Sequence, residues 1–166
     1  QPAVCEKGLL VLDCSTYGKS GHAARNEGIN ALYKATETIE ALRTFEFPLA
    51  SDLLGKVKLT VTQIQAGTQH NVIPDRCDFV VDVRTNDRYT NAEAVEILKS
   101  RFPEVEITPR SLRLNSSAIS IQHPFVRRAL FAGYEPFGSP TLSDQALMPF
   151  PSVKMGPGDS SRSHTA

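Results

Sequence analysis

The 166-residue chain carries 18 basic and 18 acidic residues, which gives a formal net charge of zero at pH 7. This balance argues against the basic surface of nucleic-acid-binding proteins and the acidic surplus of solvating tails, and no apolar run is long enough to span a membrane. With 40% hydrophobic and 22% charged residues, the composition predicts a globular protein with one domain, or one small domain with an appendage.

Three cysteines, Cys5, Cys14 and Cys77, are far apart and form no C-x-x-C pair. Their odd number and their spacing argue against a disulfide framework and against a thiolate zinc site. Cys14 and Cys77 lie in alternating, strand-like runs, which predicts small buried hydrophobic residues. Together with a start that lacks the pattern of a signal peptide, this predicts a reducing, cytoplasmic environment.

Strand-like and helix-like patterns alternate through the first part of the chain. Residues 56–64 and 76–84 alternate apolar and polar side chains, as strands with one buried face do. The predicted elements, in order, are a strand at residues 9–17, a helix that starts at 26–28, strands at 56–64 and 76–84, a helix at 90–102 and a strand at 104–108. The strand side chains predicted to be buried are Val57, Leu59, Val61, Cys77, Phe79, Val81, Val83, Val105 and Ile107.

The two predicted helices are supported by spacing and by capping. In the first, residues at helical spacing form one face, which consists of Ile29, Leu32, Thr36, Ile39 and Leu42. In the second, the Thr90 hydroxyl and the Glu93 carboxylate can satisfy each other's exposed amides, and Pro103 ends the helix. The order β-α-β-β-α-β predicts an α+β fold, a ferredoxin-like sandwich with an antiparallel four-stranded sheet and two helices on one face.

The pattern changes after Asn115, where loop residues become frequent. A short helix is predicted at residues 123–130, and Pro124 suits its first turn because a missing amide hydrogen does no harm there. Another short helix is predicted to start at Ser143, and a short strand at residues 153–155. This segment has too few apolar elements for a core of its own, so we expect it to pack against protein outside this sequence.

Three motifs are spaced along the chain: GKSGHAAR at residues 18–25, GTQHNVIPD at 67–75 with DVR at 82–84, and GPGDSSRSHTA at 156–166. In this order they resemble the zinc-dependent aminoacylase and carboxypeptidase family with two co-catalytic metals, and most closely its acetylornithine deacetylase branch. The resemblance covers nearly the whole chain, but only the second half of such an enzyme. It implies a lid, or dimerisation, domain joined to a C-terminal piece of the catalytic domain.

The resemblance divides the chain into three parts. Residues 1–8 are a hinge from the missing catalytic half, residues 9–114 form the lid, and residues 115–166 form the C-terminal segment of the catalytic domain. It also implies a homodimer that forms through the lid, by an edge strand or by the first helix. The remaining metal ligands of the family and its general base are expected upstream of this sequence.

His22 follows a glycine-flanked turn and, taken alone, is consistent with a histidine on a surface turn. The resemblance implies instead that His22 enters the active site of the partner subunit and donates a hydrogen bond to the developing oxyanion of the scissile amide. Asn71 lies among residues that favour a turn for conformational reasons. The resemblance implies that Asn71 contacts the substrate, whereas His70 matches no family ligand and is expected to be exposed.

Arg84 ends a predicted strand, and two interpretations of it remain open. It either pairs with Asp82 as a solvated strand-end arginine or, as the resemblance implies, binds the carboxylate of the substrate in bidentate fashion. The resemblance also implies that Gly156 and Gly158 face an anionic group of the substrate. His164 is the implied metal ligand, since an imidazole nitrogen suits zinc.

The sequence therefore predicts a fragment of a zinc-dependent hydrolase that deacylates N-acyl amino acids. The implied activity is that of an acetylornithine deacetylase of arginine biosynthesis, which binds a small-molecule substrate and two zinc ions, with cobalt as an alternative metal. A succinyl-diaminopimelate desuccinylase or a carboxypeptidase on the same scaffold remains an alternative, as does a dimerisation module without catalytic activity. The isolated chain is expected to be inactive and to hold no zinc tightly, because one histidine is a poor site.

Overall fold

The computed structural model describes residues 1–156 of the chain. Two sheets account for most of the strands, and three α-helices and one 3₁₀ helix accompany them in this range. The strands are β1 (Pro2–Glu6), β2 (Leu10–Tyr17), β3 (Gly21–His22), β4 (Lys58–Ala66), β5 (Val72–Ile73), β6 (Arg76–Arg84), β7 (Glu106–Pro109), β8 (Ser117–Ala118), β9 (Phe137–Ser139) and β10 (Lys154–Met155). The helices are α1 (Ala31–Thr44), α2 (Asn91–Arg101), α3 (Pro124–Phe131) and the 3₁₀ helix Asp144–Leu147.

The larger unit is a four-stranded antiparallel sheet in the order β4-β6-β2-β7, with α1 and α2 packed against it. This arrangement confirms the predicted ferredoxin-like sandwich. The alternation in the sequence matches the central strands β2 and β6, which bury one face beneath the helices, whereas the same face of the edge strand β4 is only partly buried. In β6 every predicted core position is buried, and Phe79 lies at the centre with 1% of its surface exposed.

Helix α1 begins later than its sequence predicts, and it buries two alanines that the predicted face omits. Asn30 is its N-cap, and the Asn30 side chain accepts a hydrogen bond from the Leu32 N–H at 2.9 Å. Ala31 and Ala35 are completely buried, whereas Ile29 lies before the helix and is exposed. Of the predicted face, Leu42 is buried and Leu32 and Ile39 pack, partly buried, against the core. The small side chains of the two alanines allow the helix to lie close against the sheet.

Helix α2 begins with the capping box that its sequence predicts. The Thr90 hydroxyl accepts a hydrogen bond from the Glu93 N–H at 3.2 Å, and Glu93 Oε2 accepts one from the Thr90 N–H at 2.8 Å. The hydrogen bonds from Thr90 hold the pKa of the Glu93 carboxyl below its usual value. The capping box thus satisfies two of the four amides left free at this helix end, and the Asn91 N–H donates to Asn115 Oδ1 at 2.7 Å.

Replacing Thr90 with alanine should lower the free energy of unfolding by about 1 kcal/mol, because the first turn of α2 loses its cap. Chemical denaturation with urea measures the change. Thr36→Ala is the matched control, since Thr36 is an exposed threonine inside α1, where alanine is the better helix former. Equal destabilisation by the two substitutions would contradict a capping role.

The second sheet is built on β1, which pairs antiparallel with β8 and β10 and parallel with β9. Residues 2–6 thus form a strand of this sheet, and the division of the chain into hinge, lid and C-terminal segment stays a prediction. The chain crosses between the two units at Lys7, Gly8 and Leu9, beside the returning segment at Leu114. Gly8 is needed there, because a Cβ atom would lie 2.3 Å from Thr85 Oγ1.

All three cysteines are buried and unpaired, which confirms the prediction for Cys14 and Cys77. Burial raises the pKa of the Cys14 thiol to about 12 and that of Cys5 to about 11. Thiols with such values stay protonated near neutral pH and react slowly. Among residues 1–156, no helix has the length and apolar character needed to cross a membrane.

Candidate functional site

Two of the sequence motifs meet in a small two-stranded sheet formed by β3 and β5. Gly21 pairs with Ile73, His22 pairs with Val72, and the Ala23 N–H donates a hydrogen bond to the Asn71 carbonyl at 2.9 Å. The backbones at His22 and Asn71 are therefore neighbours, although the residues are far apart in the sequence. Strands of two residues leave no periodic signal, so this pairing could not be predicted from the sequence.

The turn and proline residues of the two motifs support this pairing. The Gly18 N–H donates to the Asp75 carbonyl at 2.8 Å, and the Ala31 N–H donates to the Pro74 carbonyl at 2.9 Å. Gly18 cannot be replaced without a shift, because a Cβ atom there would lie 2.0 Å from the Ile29 carbonyl oxygen. The motifs thus connect the end of β2, the start of α1 and the start of β6 in one rigid corner.

His22 is exposed, and its ring has a defined hydrogen-bond partner on one side. The Ala24 N–H donates to His22 Nδ1 at 3.1 Å. Since a backbone N–H can only donate, Nδ1 must be the acceptor nitrogen, and the neutral ring carries its proton on Nε2. The backbone N–H of His22 donates to Glu27 Oε1 at 3.3 Å, which connects the two ends of the loop. The imidazole is therefore arranged as an Nε2–H donor at an exposed edge.

Arg84 forms a bidentate ion pair with Asp82. Its Nε donates to Asp82 Oδ1 at 2.7 Å and its Nη2 donates to Asp82 Oδ2 at 2.9 Å, and both side chains are about two-thirds buried or more. The predicted pairing of Arg84 with Asp82 is thus present, but the two side chains are mostly buried rather than solvated. Its predicted contact with a substrate carboxylate stays a prediction.

The corner that contains His22 and Asn71 adjoins the start of β6, whereas Arg84 is the last residue of that strand. Eight residue steps at about 3.4 Å each place the two ends on the order of 27 Å apart. That distance exceeds the length of an acylated amino acid. One chain therefore does not bring Arg84 to the same small substrate as His22 and Asn71.

The remaining predicted site residues lie at or beyond the end of the described chain. Gly156 follows β10 and is exposed, whereas Gly158 and His164 lie outside the described residues. Within residues 1–156 there is no group of three or more His, Cys, Asp or Glu side chains placed to hold a metal ion. The described part of the chain thus does not by itself fit a zinc centre.

One polar cluster was missed by the sequence analysis. Glu6 has no exposed surface, and its carboxylate lies 2.5 Å from Lys154 Nζ and accepts hydrogen bonds from Ser143. Glu6 is followed by Lys7 and Gly8, and its partners are more than a hundred residues away in the sequence. No local signal could have indicated that this carboxylate is buried.

The solvent face of the four-stranded sheet carries a further set of charges, which neutralise one another. A hydrogen bond from Arg110 lowers the pKa of the Asp13 carboxyl, and a hydrogen bond from the Ser15 hydroxyl is the main cause of the lowered pKa of Asp78. Arg76 also pairs with Asp78 at 2.8 Å. These exposed pairs use up each other's charge, which indicates a solvated sheet face rather than a binding site.

Comparison with protein families identifies residues 4–107 as a match to the peptidase dimerisation domain. Among curated proteins, succinyl-diaminopimelate desuccinylase 1 of Alteromonas mediterranea is 26% identical over 107 residues, which cover 63% of this chain and 27% of that protein. Succinyl-diaminopimelate desuccinylase 2 of Shewanella loihica is 28% identical over 88 residues, which cover 52% of this chain and 23% of that protein. The matched segment thus spans about a quarter of these relatives.

Solved structures share the fold at low sequence identity. A tripeptidase from Staphylococcus aureus superposes with a TM-score of 0.67 at 16% identity, over 92% of this chain and 44% of that one. An aminopeptidase from Bacillus cereus gives 0.63 at 14% identity, over 88% and 42% of the two chains. These similarities extend beyond the residues matched by the family, so they include part of the second sheet as well as the first.

Proposed function

The chain belongs to the peptidase dimerisation domain family, and from this premise we propose that it is the dimerisation part of a metal-dependent hydrolase that removes the acyl group from N-acyl amino acids. This membership agrees with the family to which the sequence motifs point. The observation that carries the proposal is the β3–β5 pairing, which puts His22 beside Asn71 with an Nε2–H donor at an exposed edge.

The proposed role of His22 is to donate a hydrogen bond to the carbonyl oxygen of the scissile amide. That oxygen gains negative charge as the carbonyl is attacked, and a fixed donor stabilises the transition state more than the ground state. Asn71 provides an amide that can donate to the substrate from the same edge. Arg84 and the Gly156 motif would hold the carboxylate of the amino acid. In the complete protein, zinc would supply the activated water, and the predicted ligand in this chain is His164.

Two substrates are candidates, each with its own support. The motifs resemble those of acetylornithine deacetylases, which favours N-acetylornithine. The two curated relatives are both succinyl-diaminopimelate desuccinylases, which favours N-succinyl-diaminopimelate. Comparison of kcat/KM for the two compounds, measured on the complete protein with zinc, tests the proposal. A strong preference identifies the acyl group, whereas hydrolysis of neither contradicts an N-acyl amino acid hydrolase.

Exposed apolar side chains after residue 114 support the proposal that the chain is part of a longer protein. The described part of this segment, residues 115–156, leaves large apolar side chains in solvent, and the most exposed of these are Phe131 at 96%, Phe150 at 60% and Phe125 at 52%. Several large apolar side chains exposed within one segment are consistent with a surface that another part of a protein covers. We infer that residues 115–166 belong to the catalytic domain, and that protein outside this sequence covers their apolar surface.

Zinc titrated into this chain should bind only weakly. His164 is the one predicted ligand, and stable zinc sites use three or four protein ligands. Isothermal titration calorimetry on the wild-type chain measures the affinity for zinc, and the same measurement on the His164→Ala variant shows whether His164 accounts for it. Tight one-to-one binding to the wild-type chain would refute the assignment of the other ligands to protein outside this sequence.

The dimer of this family is proposed to form through β4. The four-stranded sheet has two edges, the nine-residue β4 and the four-residue β7, which ends in Pro109. Proline and short length protect β7 from pairing, whereas β4 is long and contains no proline. Beside β4, a groove of about 260 Å³ lined by Ile39, Leu42 and Leu59 separates the strand from α1. Two copies joined along β4 would bury this groove and form an eight-stranded sheet.

Replacing Ile39 with lysine should weaken the dimer, because a twofold axis near β4 brings the two new charges close together. We expect the dissociation constant of the dimer to rise roughly tenfold or more, as measured by multi-angle light scattering and sedimentation at tens of micromolar. Leu112→Lys is the control, since Leu112 is an exposed leucine just after β7, at the other edge. A wild-type chain that is monomeric at these concentrations would count against the dimer.

A further inference from the structure

Glu6 is a buried carboxylate that the proposed reaction does not use. It ends β1 and has no exposed surface. Its Oε2 accepts hydrogen bonds from the Ser143 backbone N–H at 2.9 Å and from the Ser143 hydroxyl at 2.6 Å, and its Oε1 lies 2.5 Å from Lys154 Nζ. A charge removed from water is unfavourable unless it is paired in this way, and such pairs more often specify one arrangement than add stability.

The carboxylate connects four elements, β1, β9, β10 and the 3₁₀ helix, and the three strands among them are also joined by backbone pairing. Lys154 Nζ also donates to the Ser139 hydroxyl of β9 at 3.1 Å, so β1, β9 and β10 meet at this ion pair. Ser143 is the N-cap of the 3₁₀ helix, and its hydroxyl accepts from the Gln145 N–H while it donates to Glu6. Because β10 is only two residues long, its backbone pairing alone fixes it weakly.

β10 ends at Met155, so the Glu6–Lys154 pair is two residues from Gly156, the predicted substrate-binding glycine. We propose that Glu6 is a positioning residue that, through Lys154 and Ser143, fixes Gly156 in the orientation that binds the substrate carboxylate. Glu6 neutralises Lys154, so Lys154 is not itself the cation that binds the substrate. The kinetic part of this inference rests on the proposed function, whereas its structural part does not.

The test uses Glu6→Gln, which keeps the shape of the side chain and removes its charge, and the double variant Glu6→Gln/Lys154→Met, which leaves no unpaired buried charge. The control is Glu40→Gln/Arg43→Met, which removes an exposed ion pair of 2.7 Å on the surface of α1. Amide hydrogen exchange on this chain measures protection at Ser143 and at residues 153–156. Steady-state kinetics on the complete protein separates KM from kcat, and thermal unfolding reports stability.

For Glu6→Gln we expect exchange at Ser143 and residues 153–156 to become at least tenfold faster, while protection in β2 and β6 stays unchanged. In the complete protein kcat/KM should fall on the order of 100-fold, mainly through KM, because a small misplacement of a binding element has effects of this size. The double variant should recover the unfolding temperature of the wild type, but its KM should stay raised. The exposed-pair control should match wild type in every readout.

Unchanged exchange in Glu6→Gln overturns the proposal, as does a double variant with wild-type KM. A rise in KM that parallels the drop in unfolding temperature in every variant also overturns the proposal, since that pattern indicates an effect on stability alone. If the wild-type complete protein hydrolyses no N-acyl amino acid, the proposed function fails. The exchange measurement then still decides whether Glu6 positions Gly156.

Discussion

Replacing His22 with alanine is expected to lower kcat of the complete protein by a factor on the order of 100 to 1,000, with a smaller change in KM. The alanine removes the Nε2–H donor, and this donor acts on charge that exists mainly in the transition state. The structure supports the prediction because the Ala24 N–H occupies Nδ1 and leaves the proton on Nε2. Steady-state kinetics with the better of the two candidate substrates measures the effect.

His70→Ala is the matched control, since His70 is also exposed and lies in the motif that pairs with β3, but has no proposed role. We expect it to retain wild-type activity. His22→Gln should lie between the two, because the glutamine amide can donate a hydrogen bond but is held less rigidly than an imidazole. If His22→Ala stays within a few-fold of wild type while the protein remains dimeric, His22 is a surface-turn residue and the proposed mechanism loses its donor.

Much of the first sheet could be predicted because its determinants are local. Alternation in β6 follows from a sheet with one face under helices, and the start of α2 follows from Thr90 and Glu93, three residues apart. The face of α1 was harder to predict, because Ala31 and Ala35 are weakly hydrophobic and their burial depends on how closely the helix approaches the sheet. Periodicity identifies an element better than it identifies which side chains the element buries.

The site could be predicted only as a set of separate residues. His22 and Asn71 are joined by strands of two residues, and Glu6 is paired with Lys154 from the other end of the described chain. Neither relation leaves a pattern within one window of sequence, since both depend on contacts that form only in the folded chain. The motif residues are therefore visible in the sequence, whereas the distance between Arg84 and His22 is visible only in the structure.

The separation of Arg84 from His22 within one chain predicts that mixed dimers of two inactive variants regain activity. Within one chain the His22 corner and Arg84 lie at opposite ends of β6. If both contact one substrate, as proposed, His22 comes from one subunit and Arg84 from the other. His22→Ala and Arg84→Ala should each be nearly inactive alone. When the two are unfolded, mixed in equal amounts and refolded, random pairing should restore about a quarter of wild-type activity, because half of the dimers then contain one intact site of two.

The geometry also supplies the control for this experiment. His22 and Asn71 lie on the same corner of one subunit, so a mixture of His22→Ala and Asn71→Ala leaves every site with one defect and should recover nothing. Recovery in the first mixture but not in the second requires a site shared between subunits, in which one subunit supplies His22 and the other supplies Arg84. Absence of recovery in both, from variants shown to exchange subunits, would instead place the whole site within one subunit. High activity of Arg84→Ala alone would mean that its pairing with Asp82 is its only role.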